Sequence, residues 1–330
     1  MMNHSLKSQC KVSPGTVIKG KWHGNQYSVL KELGNGANGV VYLAKNKTGH
    51  VALKMSNNGM SVTSEVNVLK SFAKVQGSAL GPCLLDFDDW QTNQGNISFY
   101  VMEYIHGPDL LTFIQQNGES WTIVLFLQLL NDLEKFHENG WVFGDLKPEN
   151  LIVTGPPVKI RCIDVGGTTI QGRAIKEFTE FYDRGFWGLG TRKAEPSYDL
   201  FAAGMIMINT AYPKRFNKTS GGILQLKEAI GQKKELILLE KVILKSLQGH
   251  YGSAKEMRLD LLSLAVKKNQ PTQSVTQNRL TQTKSPPAQK KLQTRQSYKK
   301  KKKKSGWIET AIIFMVIVLF YIMYILSQFT

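Results

Sequence analysis

The chain has 330 residues, 42% of them hydrophobic, with a formal net charge of +17; this length and composition admit a sizeable core and exclude a fibrous or wholly disordered protein. Three cysteines, Cys10, Cys83 and Cys162, lack metal-ligand spacing and cannot all pair, which excludes a disulfide scaffold and fits a reduced compartment. The charge is uneven: residues 266–304 hold 13 Lys and Arg and no acid, whereas residues 1–265 net only +5.

Residues 1–25 contain no apolar run, so they read as an N-terminal extension without a signal peptide. The β-branched and aromatic stretches Tyr27–Leu33, Val40–Lys45, His50–Met55 and Ile97–Glu103 are predicted strands, separated by Gly and Asn turns. Val62–Lys74 is the one helical stretch among them. After residue 108 the periodicity becomes helical, most clearly over Trp121–Glu138 and Leu236–Gln248, with a helical run over Leu200–Ala211 after Asp199. A small β lobe followed by a larger α lobe is expected, an α+β chain whose domain spans residues 26–265.

Residues 266–304, rich in Gln, Thr, Ser, Pro and Lys, cannot bury a core and are expected to be disordered. So concentrated a positive charge seeks phosphate, on duplex DNA or on anionic lipid. Thr310–Leu326 is 17 residues without a charge, inside a stretch from Trp307 to Phe329 that is charged only at Glu309. Twenty-three helical residues span about 35 Å, enough for a hydrocarbon core. Residues 305–330 therefore read as a single-pass membrane anchor. Lys299–Lys304 lie just before it, which puts the preceding chain in the cytoplasm.

Leu33–Tyr42 reads LGNGANGVVY, with Gly34, Gly36 and Gly39 in G-x-G-x-x-G-x-V spacing that ends on Val41. Glycines there let backbone N–H groups approach phosphate oxygens. Alone this is equally a glycine-rich hairpin. A dinucleotide site would need a helix directly after the glycines, and Val40–Ala44 reads as a strand. Fifteen residues after Gly39, Val51-Ala52-Leu53-Lys54 places a lysine on the next strand. Residues 145–150 read DLKPEN, residues 164–166 read DVG, and residues 101–105 read VMEYI.

Together these strings resemble the bacterial Hanks-type serine/threonine protein kinases, and among them the membrane-anchored kinases of spore-forming bacteria. The resemblance covers roughly residues 26–265. It implies a two-lobed kinase fold, ATP and Mg²⁺, and protein substrates phosphorylated on Ser or Thr. It implies Asp145 as the base that receives the substrate proton, Lys147 on the γ-phosphate, and Asn150 and Asp164 as Mg²⁺ ligands. It implies Gly34, Gly36, Gly39 and Val41 over the nucleotide, Lys54 on its α- and β-phosphates, Glu65 as the partner orienting Lys54, and Glu103 in the hinge that receives adenine. The interval from Lys54 to Glu65 is short for the family, so the helix is expected to be trimmed. Asp199 would brace the catalytic loop. The resemblance also implies a role in sporulation and regulation by DNA, with possible self-association for phosphorylation in trans. The alternative is a pseudokinase serving as a membrane-bound nucleotide- or DNA-binding scaffold; such proteins usually lack residues of the Lys54, Asp145 or Asp164 type, and all three are present.

Three departures stand out. Phe143-Gly144-Asp145 replaces His-Arg-Asp, so no arginine is available to receive an activation-loop phosphate, and activity is expected to depend little on phosphate at Thr168, Thr169 or Thr179. Val165 replaces the phenylalanine of the metal-binding motif. The Ala-Pro-Glu signature is absent, with Gly185 where its Glu belongs and His250 where the partner Arg would stand, so both halves of a buried ion pair are missing. Ala194-Glu195-Pro196 reads as loop.

Overall fold

The computed structural model describes residues 10–36, 38–74, 80–219 and 221–268. The stretch read as a membrane anchor and the basic stretch from residue 269 onward lie outside the described residues, among which no helix is long and apolar enough to cross a membrane.

Six antiparallel strands form the first lobe: β1 (Val17–Lys19), β2 (Gln26–Gly36), β3 (Gly39–Lys45), β4 (His50–Ser56), β5 (Leu84–Thr92) and β6 (Gly95–Glu103), in spatial order β1-β2-β3-β4-β6-β5. β3 alternates, burying Val40, Tyr42 and Ala44, as a strand with one covered face should. β4 is buried at every position from Val51 to Ser56, because α1 (Gly59–Lys74) covers its other face. Lys54 lies within that run, so its ammonium needs a partner. Helix α1 starts three residues after β4, with the Asn58 side chain accepting from the Ser61 N–H at 3.2 Å. That immediate start is how the short interval between Lys54 and Glu65 is met.

The expected boundary at residue 26 is too late. β1 joins the sheet, Ile18 and Cys10 are buried in its core, and the Tyr42 hydroxyl donates to the Cys10 carbonyl at 2.9 Å. Residues 10–25 thus belong to the lobe. β5 escaped the sequence reading because its pattern is inverted: Asp86 and Asp88 face inward while Leu85 and Phe87 are exposed. The buried acids are satisfied locally. Asp86 accepts from Tyr27 (2.6 Å) and Asn25 (2.9 Å) and contacts His23 (2.7 Å), and Asp88 accepts from the backbone of Trp22 and His23. Burial pushes the Asp86 carboxyl up, but these hydrogen bonds outweigh it and hold the group below its ordinary value.

The second lobe comprises α2 (Leu110–Asn117), α3 (Ser120–Glu138), the short strands β7 (Trp141–Val142), β8 (Leu151–Thr154), β9 (Lys159–Cys162) and β10 (Thr169–Ile170), then α4 (Arg184–Trp187), α5 (Pro196–Ala211), α6 (Ile223–Gly231), α7 (Lys234–Ile237), α8 (Glu240–Leu247) and α9 (Ala254–Lys268). In α3, Leu125, Phe126, Leu129, Leu130, Leu133 and Phe136 fall at helical spacing and are all buried; each such side chain contributes about 1.5–3 kcal/mol. α5 is buried at every position from Tyr198 to Asn209, as a helix apolar on all sides must be. It runs through the centre of the lobe and carries Asp199 in its first turn.

Two expectations need correction. Leu236–Gln248 is not one helix: α7 and α8 are separated at Leu238 and Leu239, where Leu236, Leu239, Val242 and Ile243 all turn to the core. The chain also remains helical through Lys268, so Val266–Lys268 belong to α9 rather than to the linker. Leu261 is buried and Leu264 packs on the same core, and no helix breaker intervenes before Pro271.

Candidate active site

Asp145 is positioned from below by a buried carboxylate. Asp199, fully buried, accepts from the backbone N–H of Phe143 (2.7 Å) and of Gly144 (2.9 Å) and contacts His137 Nε2 at 2.9 Å. Three contacts thereby fix the backbone just ahead of Asp145 and tie it to α3. Gly144 has φ +84°, and a Cβ there would stand 2.7 Å from the Gly167 carbonyl. A branched or long residue, arginine included, does not fit this backbone. Phe143 is buried beside Phe72 and Phe136, with ring centroids 6.3 and 5.8 Å away, and Val165 joins the same core. A large residue at 143 thus accompanies a small one at 165, the exchange that cores tolerate best.

Five residues before Asn150, which lines the cleft between the lobes, the Asp145 carboxylate is engaged through both oxygens. Its Oδ1 accepts from the Thr179 hydroxyl at 2.9 Å, and its Oδ2 is paired with the Lys147 ammonium. Lys147 also reaches the Thr179 hydroxyl at 3.4 Å. Asn150 is buried, and its amide lies 3.4 Å from the Asp145 carbonyl.

Across the cleft, Lys54 Nζ is 2.6 Å from Glu65 Oε2 and 4.0 Å from Asp164 Oδ1. Glu65 is held in turn by the Tyr100 hydroxyl (2.7 Å) and the Ser61 hydroxyl (3.2 Å). Burial pushes the Lys54 ammonium down, but Asp164 and Glu65 more than reverse this, so it stays above its ordinary value and charged. The structure thus brings Lys54, Glu65 and Asp164 together as the motifs imply.

Gly34, Gly36, Gly39, Val41, Ala52, Lys54, Asn150 and Asp164 line one cavity of about 350 Å³, together with Met102, Glu103, Tyr104 and Ile105. A Cβ on Gly34 or Gly36 would meet nothing within 4 Å, so their backbone faces open space. What Glu103 offers the cleft is its main chain, because its carboxylate is committed to Arg161, with two bonds of 2.9 Å. The Arg161 guanidinium holds the Glu103 carboxyl below the usual range. Arg161 stands alternately with buried Ile160 and Cys162 on β9, and nothing in the sequence pairs it with residue 103.

The segment after Asp164 holds a residue the sequence did not single out. Glu177 lines the same cavity and bonds through its carboxylate to Asn38 of the glycine loop, 139 positions away. Neighbouring Lys176 reaches the Ser64 hydroxyl and the Thr168 carbonyl, each at 3.3 Å, strapping the segment to α1. Burial and then the Asp164 charge push the Glu177 carboxyl above its ordinary value. A negative charge there opposes a polyphosphate in the cleft. Replacement of Glu177 by Gln is expected to lower the KM for ATP about fivefold, near 1 kcal/mol for one like charge at this depth. An unchanged or raised KM at fixed Mg²⁺ would show that the carboxylate does not oppose nucleotide.

Thr168 and Thr169 are buried, and Thr179 spends its hydroxyl on Asp145. The missing Ala-Pro-Glu pair has a local substitute. Asp183, fully buried, accepts from the N–H groups of Gly185 and Phe186, the Tyr198 hydroxyl (2.8 Å) and Arg192 Nε (2.8 Å). Arg184, also buried, is paired with Glu195 at 2.7 Å. Glu195 is therefore an ion-pair partner at the start of α5 and not merely loop. Both pairs span about ten residues, a short-range signal that a search for the usual distant partners overlooks.

Residues 27–284 match the protein kinase domain family. The chain is 52% identical over 334 residues to the serine/threonine-protein kinase YabT of Bacillus subtilis, covering 99% of each. A probable serine/threonine-protein kinase of Clostridium acetobutylicum is 30% identical over 158 residues, 46% of this chain and 23% of that protein. Among solved structures, vaccinia related kinase 3 superposes with a TM-score of 0.59 at 18% identity, over 81% of this chain and 95% of that one. At that identity the likeness speaks for the fold, with its β-rich first lobe and helical second lobe.

Proposed function

The chain belongs to the protein kinase family and is a serine/threonine protein kinase, and from that premise we propose that it transfers the γ-phosphate of ATP to protein Ser or Thr hydroxyls through Asp145, Lys147 and Lys54, while tethered to the membrane and responsive to DNA. The observation that carries the catalytic part is one cleft lined by Lys54, paired at 2.6 Å with Glu65, by Asp164 and by Asn150, whose amide lies 3.4 Å from the carbonyl of Asp145 on the loop braced by Asp199.

In this reading the acceptor hydroxyl lies against Asp145, whose carboxylate takes its proton as the oxygen bonds to the γ-phosphorus and the bond to the β-phosphate oxygen breaks. Thr179 orients the carboxylate. Lys147 turns from it to the charge on the transferred group, and Lys54 holds the phosphates that leave as ADP. Asp164 and Asn150 offer carboxylate and amide oxygens, the hard donors that suit Mg²⁺. Bound there, Mg²⁺ would neutralise charge on the phosphates and fix their orientation.

Residues 266–304 supply the DNA part. Thirteen cations without an acid among 39 residues can neutralise several backbone phosphates at once. Tyr298 is their single aromatic residue, so stacking adds little and discrimination among sequences is poor. Residues 307–329 supply the anchor, and the resemblance to membrane-anchored kinases of spore-forming bacteria supports a place in sporulation. DNA would raise activity by gathering several copies on one polymer for phosphorylation in trans.

The test uses radiolabelled ATP and duplex DNA on residues 1–304, with and without residues 269–304, so that α9 stays whole. Phosphate transfer should occur and rise with DNA. If about six phosphates are engaged, affinity should fall roughly a thousandfold between 50 and 200 mM salt. Unchanged DNA affinity on deleting the segment would leave its lysines to the membrane alone, and absence of transfer would remove the catalytic reading.

A further inference from the structure

We propose that Arg215 determines the charge preference for the acceptor peptide, by occupying the carboxylate of Glu149 beside the catalytic loop and presenting its own cation in its place. The inference rests on Asp145 marking the acceptor site.

Glu149 lies four residues after Asp145, and its side chain is 57% exposed. A lone carboxylate there would draw basic residues of an incoming peptide. It is not left alone: Arg215, in the loop that follows α5, donates to it from Nη2. The guanidinium is held from two further directions. Its Nε donates to the Tyr182 hydroxyl at 3.2 Å, and its plane lies 4.8 Å over the Tyr182 ring. Tyr182 is itself fixed, buried and donating to Asn209 at 2.6 Å.

Tyr182 closes the 3₁₀ turn that begins just after Thr179, the residue bonded to Asp145. Three residues of such a turn advance about 6 Å, and an extended peptide advances about 3.3 Å per residue. A side chain two or three positions from the phosphorylated residue therefore falls within reach of Arg215. Of the five N–H groups of a guanidinium, the contacts above use two, and the side chain is 35% exposed. Donors remain for a carboxylate on the peptide, whereas a peptide lysine or arginine must compete with a pre-positioned internal cation for Glu149.

The test compares kcat/KM of the full-length protein in nanodiscs for peptides holding one Ser in a neutral context, with Glu or Arg placed in turn at each of the four positions on either side. The wild-type protein should favour Glu over Arg about tenfold at a position near the acceptor. Arg215→Ala should reverse the preference at that position by baring Glu149. Glu149→Gln, which frees the guanidinium, should strengthen the preference for Glu. A Glu-to-Arg ratio that neither variant moves at any position would overturn the proposal. Transfer to the neutral peptide by wild-type protein separates this from the catalytic reading, whose failure would appear as no transfer to any peptide.

Discussion

Replacement of Asp145 by Asn is expected to lower the rate of phosphate transfer by about a thousandfold, near 4 kcal/mol on the barrier, the usual weight of a positioned general base. The amide keeps the shape of the carboxylate but cannot take the proton. Stability should change little, because the amide still offers an oxygen to the Thr179 hydroxyl and the Lys147 ammonium, 24% exposed, keeps access to water. Autophosphorylation with radiolabelled ATP, alongside urea unfolding of the same preparations, separates the two effects. Equal rates in the variant and the wild type would sink the assignment. Lys54→Ala should also abolish transfer, but it is the less clean probe. It strands the buried Glu65 carboxylate with only Tyr100 and Ser61, at a cost of about 3 kcal/mol or more.

Replacement of Asp199 by Asn should cost about 3–5 kcal/mol of stability, the range for breaking a buried charged network. Asp199 receives three donors across its two oxygens, the Phe143 and Gly144 N–H groups and His137. An amide can present only one oxygen, so at least one backbone N–H must face an NH₂ group and remain unpaired. The loop carrying Asp145 loses its brace, so kcat should fall even where the domain remains folded. The denaturant midpoint and kcat below that midpoint both report it. A variant with wild-type stability would mean that the brace is dispensable.

The sequence disclosed the site where function demands a residue type at fixed spacing. The glycines from Gly34 to Gly39, Lys54, the string from Asp145 to Asn150 and Asp164 each answer a need of phosphate chemistry, so they read as strings. The first lobe was legible wherever burial followed alternation, as in β3. It failed in β5, where Asp86 and Asp88 face inward and the polarity code is reversed. Pairings set by the fold were also hidden. Glu177 with Asn38, Arg161 with Glu103 and Arg215 with Glu149 join residues 58 to 139 positions apart. Ordinary surface charges share their composition, and only the fold brings them together.

Gly144 bears on timing. A kinase that stores its history as a phosphate clasped by an arginine stays on after the stimulus has gone, until a phosphatase erases the mark. Here the left-handed backbone at Gly144, closed against Gly167, leaves no room for the arginine that would hold such a record. Removing phosphate from the segment after Asp164 should therefore leave the transfer rate within about tenfold of the untreated protein, and a larger loss would count against this.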